Sequence, residues 1–303
     1  MTNINVCISC DDNYAKYASV VMASILSNAS EEDDLHFYIL DGEISDDSKA
    51  KMMTLKEFKN CEINFVKVDE SKLEIYKRIN THKYITLPTY YRLILSELLP
   101  NVERVIYLDC DTVVNVSLKE LFETDLEENI IAGVLDARVK HKKKWKNSKY
   151  INAGMVVFDL AKIRKENIEQ KFYEYTKNNI DKIETGDQDI INYTLSGRIK
   201  ILDDDWNVQV SGFASRTSFT KRPKIIHYIG YYKPWVFGSC TFFKDLYFKY
   251  LQMTPWALNE EEQKYWYDEN KKVSRRNFWK KRPLCFLNPK YIYAFYCSYI
   301  KQQ

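Results

Sequence analysis

The sequence predicts an α/β fold, a sheet covered by helices on both faces, and three observations carry that prediction. Short apolar, β-branched runs alternate with stretches of helical periodicity. Several of these runs end in acids, as strands do when their C-terminal ends line a ligand site. Hydrophobic residues make up 45% of the 303 and charged ones 29%, which allows a sizeable core, yet no apolar run approaches the ~18 residues that span a bilayer.

The elements follow in order. "INVCISCDD" reads as a first strand ending in acids, and "YAKYASVVMASILSNAS" as a helix with apolar positions three and four apart. "LHFYILD" is a second strand, "ISDDSKAKMMTLKEFK" a helix with Ser45 as its N-cap, and "EINFVKVD" a third strand. This alternation implies a parallel sheet. "PTYYRLILSELLP" reads as a helix started by Pro88 and stopped by Pro100. "RVIYLDCD", "NIIAGVLD", "NAGMVVFD" and "PKIIHYIG" read as further strands, with helices over 161–178 and 187–196. The Lys-rich interval "ARVKHKKKWKNSKY" (137–150) is either a solvated loop or a lid that closes over a ligand.

Composition bounds the cell biology. The N-terminus lacks the basic and apolar regions of a secretory signal. Seven scattered cysteines read as reduced thiols of a cytosolic protein, and Cys7 and Cys10, a lone C-x-x-C, as strand residues rather than half a zinc site. Charge is uneven. Of the 45 Lys and Arg, nine fall in residues 271–303, which hold no acid, leaving 36 bases against 42 acids in the rest. The chain is expected to divide into a body, 1–255, and a basic, aromatic C-terminal segment, 256–303. Bases interleaved with Phe278, Trp279, Phe286, Tyr291, Tyr293, Phe295, Tyr296 and Tyr299 suit an anionic membrane surface. A tail that packs on its own body is the rival reading, and nothing else in the chain reads as a nucleic-acid motif.

The chemistry centres on "VIYLDCDTVV" (105–114), where Asp109 and Asp111 sit two apart at the end of an apolar run. Two enzyme chemistries use such a pair. In a haloacid-dehalogenase-type hydrolase Asp109 would be a phosphoryl-accepting nucleophile and Asp111 its general acid/base beside Mg2+. In a nucleotide-sugar transferase both acids would hold a divalent cation against a diphosphate. The D-x-D pattern recurs at Asp187/Asp189 and Asp203/Asp205, so position discriminates better than the pattern. In the hydrolase the motif opens the first strand of the core. Here several βα units precede it, as they would if the first half built a nucleotide pocket.

Taken together, "CDDNYAKY", "TLPTYYRL", "VIYLDCDTVV", "VLDA", "NAGMVVFDL", "GDQDIIN" and "HYIGYYKPW" resemble glycosyltransferase family 8, which includes bacterial lipooligosaccharide galactosyl- and glucosyltransferases and glycogenin. The His-x-x-Gly-x-x-Lys-Pro-Trp run from His227 is the most specific piece. The resemblance implies a GT-A type fold, a Rossmann-like mixed sheet flanked by helices. It implies a retaining, metal-dependent transfer of galactose or glucose from UDP-galactose or UDP-glucose to a glycan or lipid-linked saccharide. Asp109, Asp111 and His227 would hold the metal, Mn2+ before Mg2+ because imidazole joins the oxygens. Gly230 and Lys233 would bind the diphosphate, and Ser9, Asp11 and Asn13 the uridine. Arg92 would reach the sugar or phosphates, with Cys110 also in the donor site. Asp136, Asn152, Asp187 and Gln188 would line the donor sugar, Gln188 below the anomeric carbon. A cytoplasmic enzyme docked by its tail on the inner face of the membrane follows. An inactive carbohydrate-binding homologue is the non-enzyme alternative. Each assignment has a plainer competitor: Arg92 could pair with Glu97, and Asp136 and Asp187 could cap an element.

Overall fold

Strand β1 (Thr2–Asp11) is apolar on both faces because it lies inside the sheet with helices on either side. It pairs in parallel with β2 (Asp33–Gly42) along its whole length, and with β4 (Arg104–Leu108) at Val6 and Cys7. A seven-stranded sheet results, in the order β3-β2-β1-β4-β7-β6-β8, with β3 at Glu62–Lys67, β6 at Ile131–Leu135, β7 at Ile151–Asp159 and β8 at Ile199–Ile201. The computed structural model describes residues 2–80, 86–138, 149–211 and 223–281, together with Ile292. The alternation of strand side chains divides the core. Val6, Ile8, Ile106 and Leu108 face α1 (Ala15–Asn28), while Cys7, Val105 and Tyr107 join the opposite layer with Tyr91 and Ile190.

The sheet is mixed, as the resemblance implied: β1 to β4 run parallel, in keeping with the alternation of the first elements, and β7 runs antiparallel to both β4 and β6. Two expectations need correcting. Residues 87–94 form a 3-10 helix, with Pro88 in its first turn, and only Leu95–Leu98 are α (α3). Five consecutive residues, Tyr90 to Ile94, are buried, more than one α-helical face would hide. The helix expected over 161–178 is two, α5 (Leu160–Lys165) and α6 (Ile168–Asn179), broken at Asn167 in the left-handed region at φ 52°. Ser45 does cap α2 (Asp46–Met53), accepting from Ser48 N at 3.2 Å.

The apolar run 105–114 serves two sheets. β4 stops at Leu108, and Thr112–Val114 (β5) enters a separate three-stranded sheet, β5-β10-β9, with β9 at Val208–Val210 and β10 at Ile225–Tyr228. Asp109, Cys110 and Asp111 occupy the crossing. Asp109 N donates to Gly154 O in the first sheet, while Tyr228 N in the second donates to Asp111 O, both at 2.9 Å. That small sheet packs on α8 (Lys244–Leu251) through Tyr228, Phe242 and Tyr247.

The chain then continues helically as α9 (Glu260–Lys264), a π-helical turn (Tyr265–Asn270) and α10 (Lys271–Lys281), with Asn270 and Ser274 fully buried. Tyr267 and all the aromatic positions beyond it lie outside the side chains described, as does most of the Lys-rich interval, residues 139–148. Among the described residues no helix is long and apolar enough to cross a membrane. Cys7, Cys10, Cys61, Cys110 and Cys240 are buried free thiols.

Candidate functional site

The C-terminal ends of β1 and β4 and the start of the small sheet enclose a cavity of about 470 Å³. Asp109, Asp111 and His227 converge in it, with one potential ligand atom from each lying within 4.8 Å of the others. His227 Nε2 is 3.2 Å from Asp111 Oδ1 and 3.8 Å from Asp109 Oδ2. Asn207 fixes the imidazole: its amide nitrogen donates to Asn152 Oδ1, so its oxygen faces His227 Nδ1 at 3.2 Å as an acceptor. The ring proton belongs on Nδ1, and Nε2 turns a lone pair toward the acids. Asp111 Oδ1 is buried without a hydrogen-bond donor, and a hard or borderline divalent cation fits an oxygen so placed beside an imidazole. Lys233 donates to the other oxygen of Asp111 and to Tyr228 O. Burial works against ionisation of Asp111, but Lys233 overcomes it and holds the carboxyl well below the usual range.

Arg92 organises the opposite wall. Its guanidinium is buried and pairs with Asp109 Oδ1 at 2.6 Å and Asp187 Oδ2 at 3.1 Å, over the ring of Tyr107. The surface partner considered for it, Glu97, pairs with Lys72 instead. Arg92 thus reaches the site through an acid and aims Asp109. Asp187 is the first residue of α7 (Asp187–Thr194). Burial pushes its carboxyl up to about 6, with Arg92 pulling the other way and Asp109 adding to the rise. Two residues on, Asp189 accepts from Glu184 N and Thr185 N at 2.8 Å.

Gln188 is held at both ends. Its amide nitrogen donates to Asp136 Oδ2 at 2.9 Å, and its oxygen accepts from Asn152 Nδ2 and Ala153 N at 3.2 Å each. Asp136 is itself clamped by the guanidinium of Arg138, at 2.6 Å from Nη2. Burial would raise the Asp136 carboxyl, and Arg138 outweighs it, leaving the group below its ordinary value.

Of the residues expected at the site, Ser9, Asp11, Arg92, Asp109, Cys110, Asp111, Asn152, Asp187, Gln188, His227, Gly230 and Lys233 line the cavity. Asp136 is fully buried behind Gln188, and Asn13 is exposed on the 3-10 turn after β1, outside the lining. Asp11 caps that turn through Tyr14 N at 3.0 Å, and Ser9 Oγ donates to Pro88 O. Asp203 precedes the 3-10 turn before β9 and Asp205 lies within it, and neither is in the lining. Two contributors escaped sequence reasoning. Asn207 carries no motif. Gly154 lies within "NAGMVVFDL", but its role is spatial: a Cβ there would sit 2.2 Å from His227 Cε1 and 2.6 Å from Asp109 Oδ2.

Comparison with known proteins agrees with this geometry. The sequence model of glycosyl transferase family 8 matches residues 5–237. General stress protein A of Bacillus subtilis is 29% identical over 270 residues, covering 82% of this chain and 93% of that protein. Lipopolysaccharide 1,3-galactosyltransferase of Salmonella typhimurium is 26% identical over 251 residues, 76% of this chain and 72% of that protein. Among solved structures, galactosyltransferase LgtC in complex with donor and acceptor sugar analogs is similar with a TM-score of 0.75 and 25% identity, over 86% of this chain and 99% of that one. The architecture is the GT-A type. It also sets the hydrolase reading aside, because the acid-bearing strand β4 lies mid-sheet behind a β1–β3 half that such a hydrolase would place after its motif. With the match running from β1 through the loop that carries Lys233, the chain belongs to glycosyl transferase family 8.

Proposed function

We propose that the protein is a retaining hexosyltransferase that moves galactose or glucose from a UDP-sugar to a glycan or lipid-linked saccharide. The observation that carries this reading is the Asp109–Asp111–His227 cluster, opening on the cavity with Lys233 on its rim. A divalent ion held there, Mn2+ by the donor set, would supply positive charge against the departing diphosphate. The chain's own groups do the rest. Lys233, now folded onto Asp111, is the cation on hand for a phosphate oxygen, and Gly230 faces open space beside it. Arg92 keeps Asp109 aimed, and Asn207 keeps His227 Nε2 unprotonated.

Gln188 supports retention by attack on the sugar's front face. Its oxygen is occupied by two donors and its nitrogen by Asp136, so the amide is a fixed dipole rather than a free nucleophile. Titration calorimetry with UDP, with and without Mn2+, tests the reading. Mn2+-dependent binding that disappears in Asp111→Asn is expected; metal-independent binding, or none, returns the site to an unassigned cavity. Turnover of UDP-galactose against UDP-glucose then separates the two donors, and no turnover of either with UDP still bound identifies the inactive homologue.

For the C-terminal segment we keep the membrane reading, on the cytoplasmic leaflet where a lipid-borne acceptor is presented. Lys272, Arg276 and Lys280 are exposed on α10. Replacing all three by Gln should weaken binding to anionic vesicles about 100-fold, at ~1 kcal/mol per charge. Undiminished binding would sink the idea.

A further inference from the structure

The C-terminal helical segment grips one backbone residue of the loop after β10 from both sides. Gly238 N donates to Asn270 Oδ1 at 2.7 Å, and Asn277 Nδ2 donates to Gly238 O at 2.8 Å. Asn270, Ser274 and Asn277 stand four and three residues apart, which places them on one helical face. Gly238 is suited to nothing larger. It sits at φ 71°, and a Cβ there would meet Asn277 Nδ2 and Val273 Cγ1 at 3.0 Å. The contact is continuous and buried at Asn270 and Ser274. Lys244 Nζ donates to Ser274 Oγ at 2.8 Å, Ser274 Oγ donates to Asn270 Oδ1 at 3.1 Å, and Phe237 stacks on Tyr265 with ring centroids 5.2 Å apart. Burial draws Lys244 down to about 8. The π-helical turn that ends at Asn270 shifts the register of the helix at this point, a feature that recurs at functional sites.

What Gly238 holds is the end of the loop that begins at Gly230. The loop is a chain of tight turns, with Lys233 N on Tyr231 O, Val236 N on Lys233 O, and Ser239 N on Val236 O; Ser239 Oγ closes back on Tyr232 O. Trp235 stacks on Tyr17 of α1, its ring centroid 3.9 Å away. Two hydrogen-bonded turns thus link Gly238 to Lys233. We propose that Asn270 and Asn277 are positioning residues for the Gly230–Lys233 turn, acting through Gly238, so that the first part of the C-terminal segment belongs to the donor site. This rests on the proposed reading of Lys233 as a diphosphate ligand.

The test uses the full-length protein and two readouts, UDP affinity with Mn2+ and hydrogen exchange of the amides over 229–239. Asn270→Ala should bind UDP about tenfold more weakly and exchange these amides faster, whereas Asn270→Asp, which keeps an acceptor for Gly238 N, should restore both. Asn277→Ala, which loses only the bond to Gly238 O, should show a milder form of both changes and serves if Asn270→Ala does not fold. Thr176→Val, a buried change on α6, provides a destabilised control with the loop contacts intact. Exchange and UDP affinity in Asn270→Ala and Asn277→Ala no different from that control would overturn the proposal. If the unmutated protein binds no UDP, the site reading fails, and the exchange data alone decide whether the clamp exists.

Discussion

The two walls of the cavity are built by different means. On one side, the 3-10 helix over 87–94, the ends of β4 and β6, and α7 bring Arg92, Asp109, Asp136, Asp187 and Gln188 together in a lattice of charges and amides, each member held by at least one other. On the other, β10 ends at Tyr228, and Gly230 and Lys233 ride on a loop whose order comes from turns, one aromatic stack and hydrogen bonds to a helix more than thirty residues onward. The first wall is set before any ligand arrives. The second is held by fewer and more exposed groups, with Tyr231 at 74% exposure. In the proposed reaction, rigid placement would suit groups that aim a metal and a sugar, and an adjustable cation would suit a leaving group that must later depart.

Breaking the rigid wall should be the more damaging. Arg92→Met strands the buried carboxylate of Asp187 and leaves the part-exposed Asp109 unpaired, and should lower stability by about 3–5 kcal/mol, read by urea unfolding. A loss below about 1 kcal/mol would mean that the lattice does not behave as one unit. Gly154→Ala forces a methyl group into His227 and Asp109. Overpacking of this kind costs about 1–3 kcal/mol, and manganese binding should fail in protein that still folds. Retained metal affinity would show that the cluster can shift to admit it.

The acidity of Asp187 gives a subtler test. Its carboxyl is raised from 3.8 to about 6, so in that window the folded protein keeps a proton that the unfolded chain has released. Its contribution to stability therefore falls as pH rises from 3.8 to about 6, and is flat above. Removing it in Asp187→Asn should make the variant gain on the unmutated protein across that window, measured without metal. A difference that does not change with pH would show that Arg92 compensates the burial fully. Smallest of all, Glu97→Gln removes a half-exposed ion pair with Lys72 and should shift stability by no more than about 0.5 kcal/mol.

Legibility in the sequence follows the same division. β1, α1, β2, α2 and β3 were readable because alternation, helical spacing and the Ser45 cap are all local signals, and each agreed with the fold. The crossing at Leu108–Thr112 was not, since an unbroken apolar run gives no sign that its two ends enter different sheets. The 3-10 helix over 87–94 and the break at Asn167 were hidden for a related reason: burial on several sides overrides spacing, and one left-handed residue leaves no pattern. At the site, Asp109, Asp111, His227 and Lys233 could be picked out as chemistry in search of a geometry. Asn207 and Gly154 could not, because one acts by fixing a tautomer and the other by the absence of a side chain.

Residue types and their short spacings settled which chemistry was available: two acids, an imidazole and a lysine near apolar strand ends. They also sufficed to mark the family through a series of short motifs in order. Which acids would serve, and from where, depended on contacts across the chain. Asp187 and Asp189 are two residues apart on one helix, yet one turns to Arg92 and the cavity while the other binds the local backbone. Arg92, Asp136, Asn152, Asp187, Asn207 and His227 meet only because strands paired and layers packed. Those interactions draw on burial and hydrogen bonding between residues far apart in the chain, and no local window of sequence contains them.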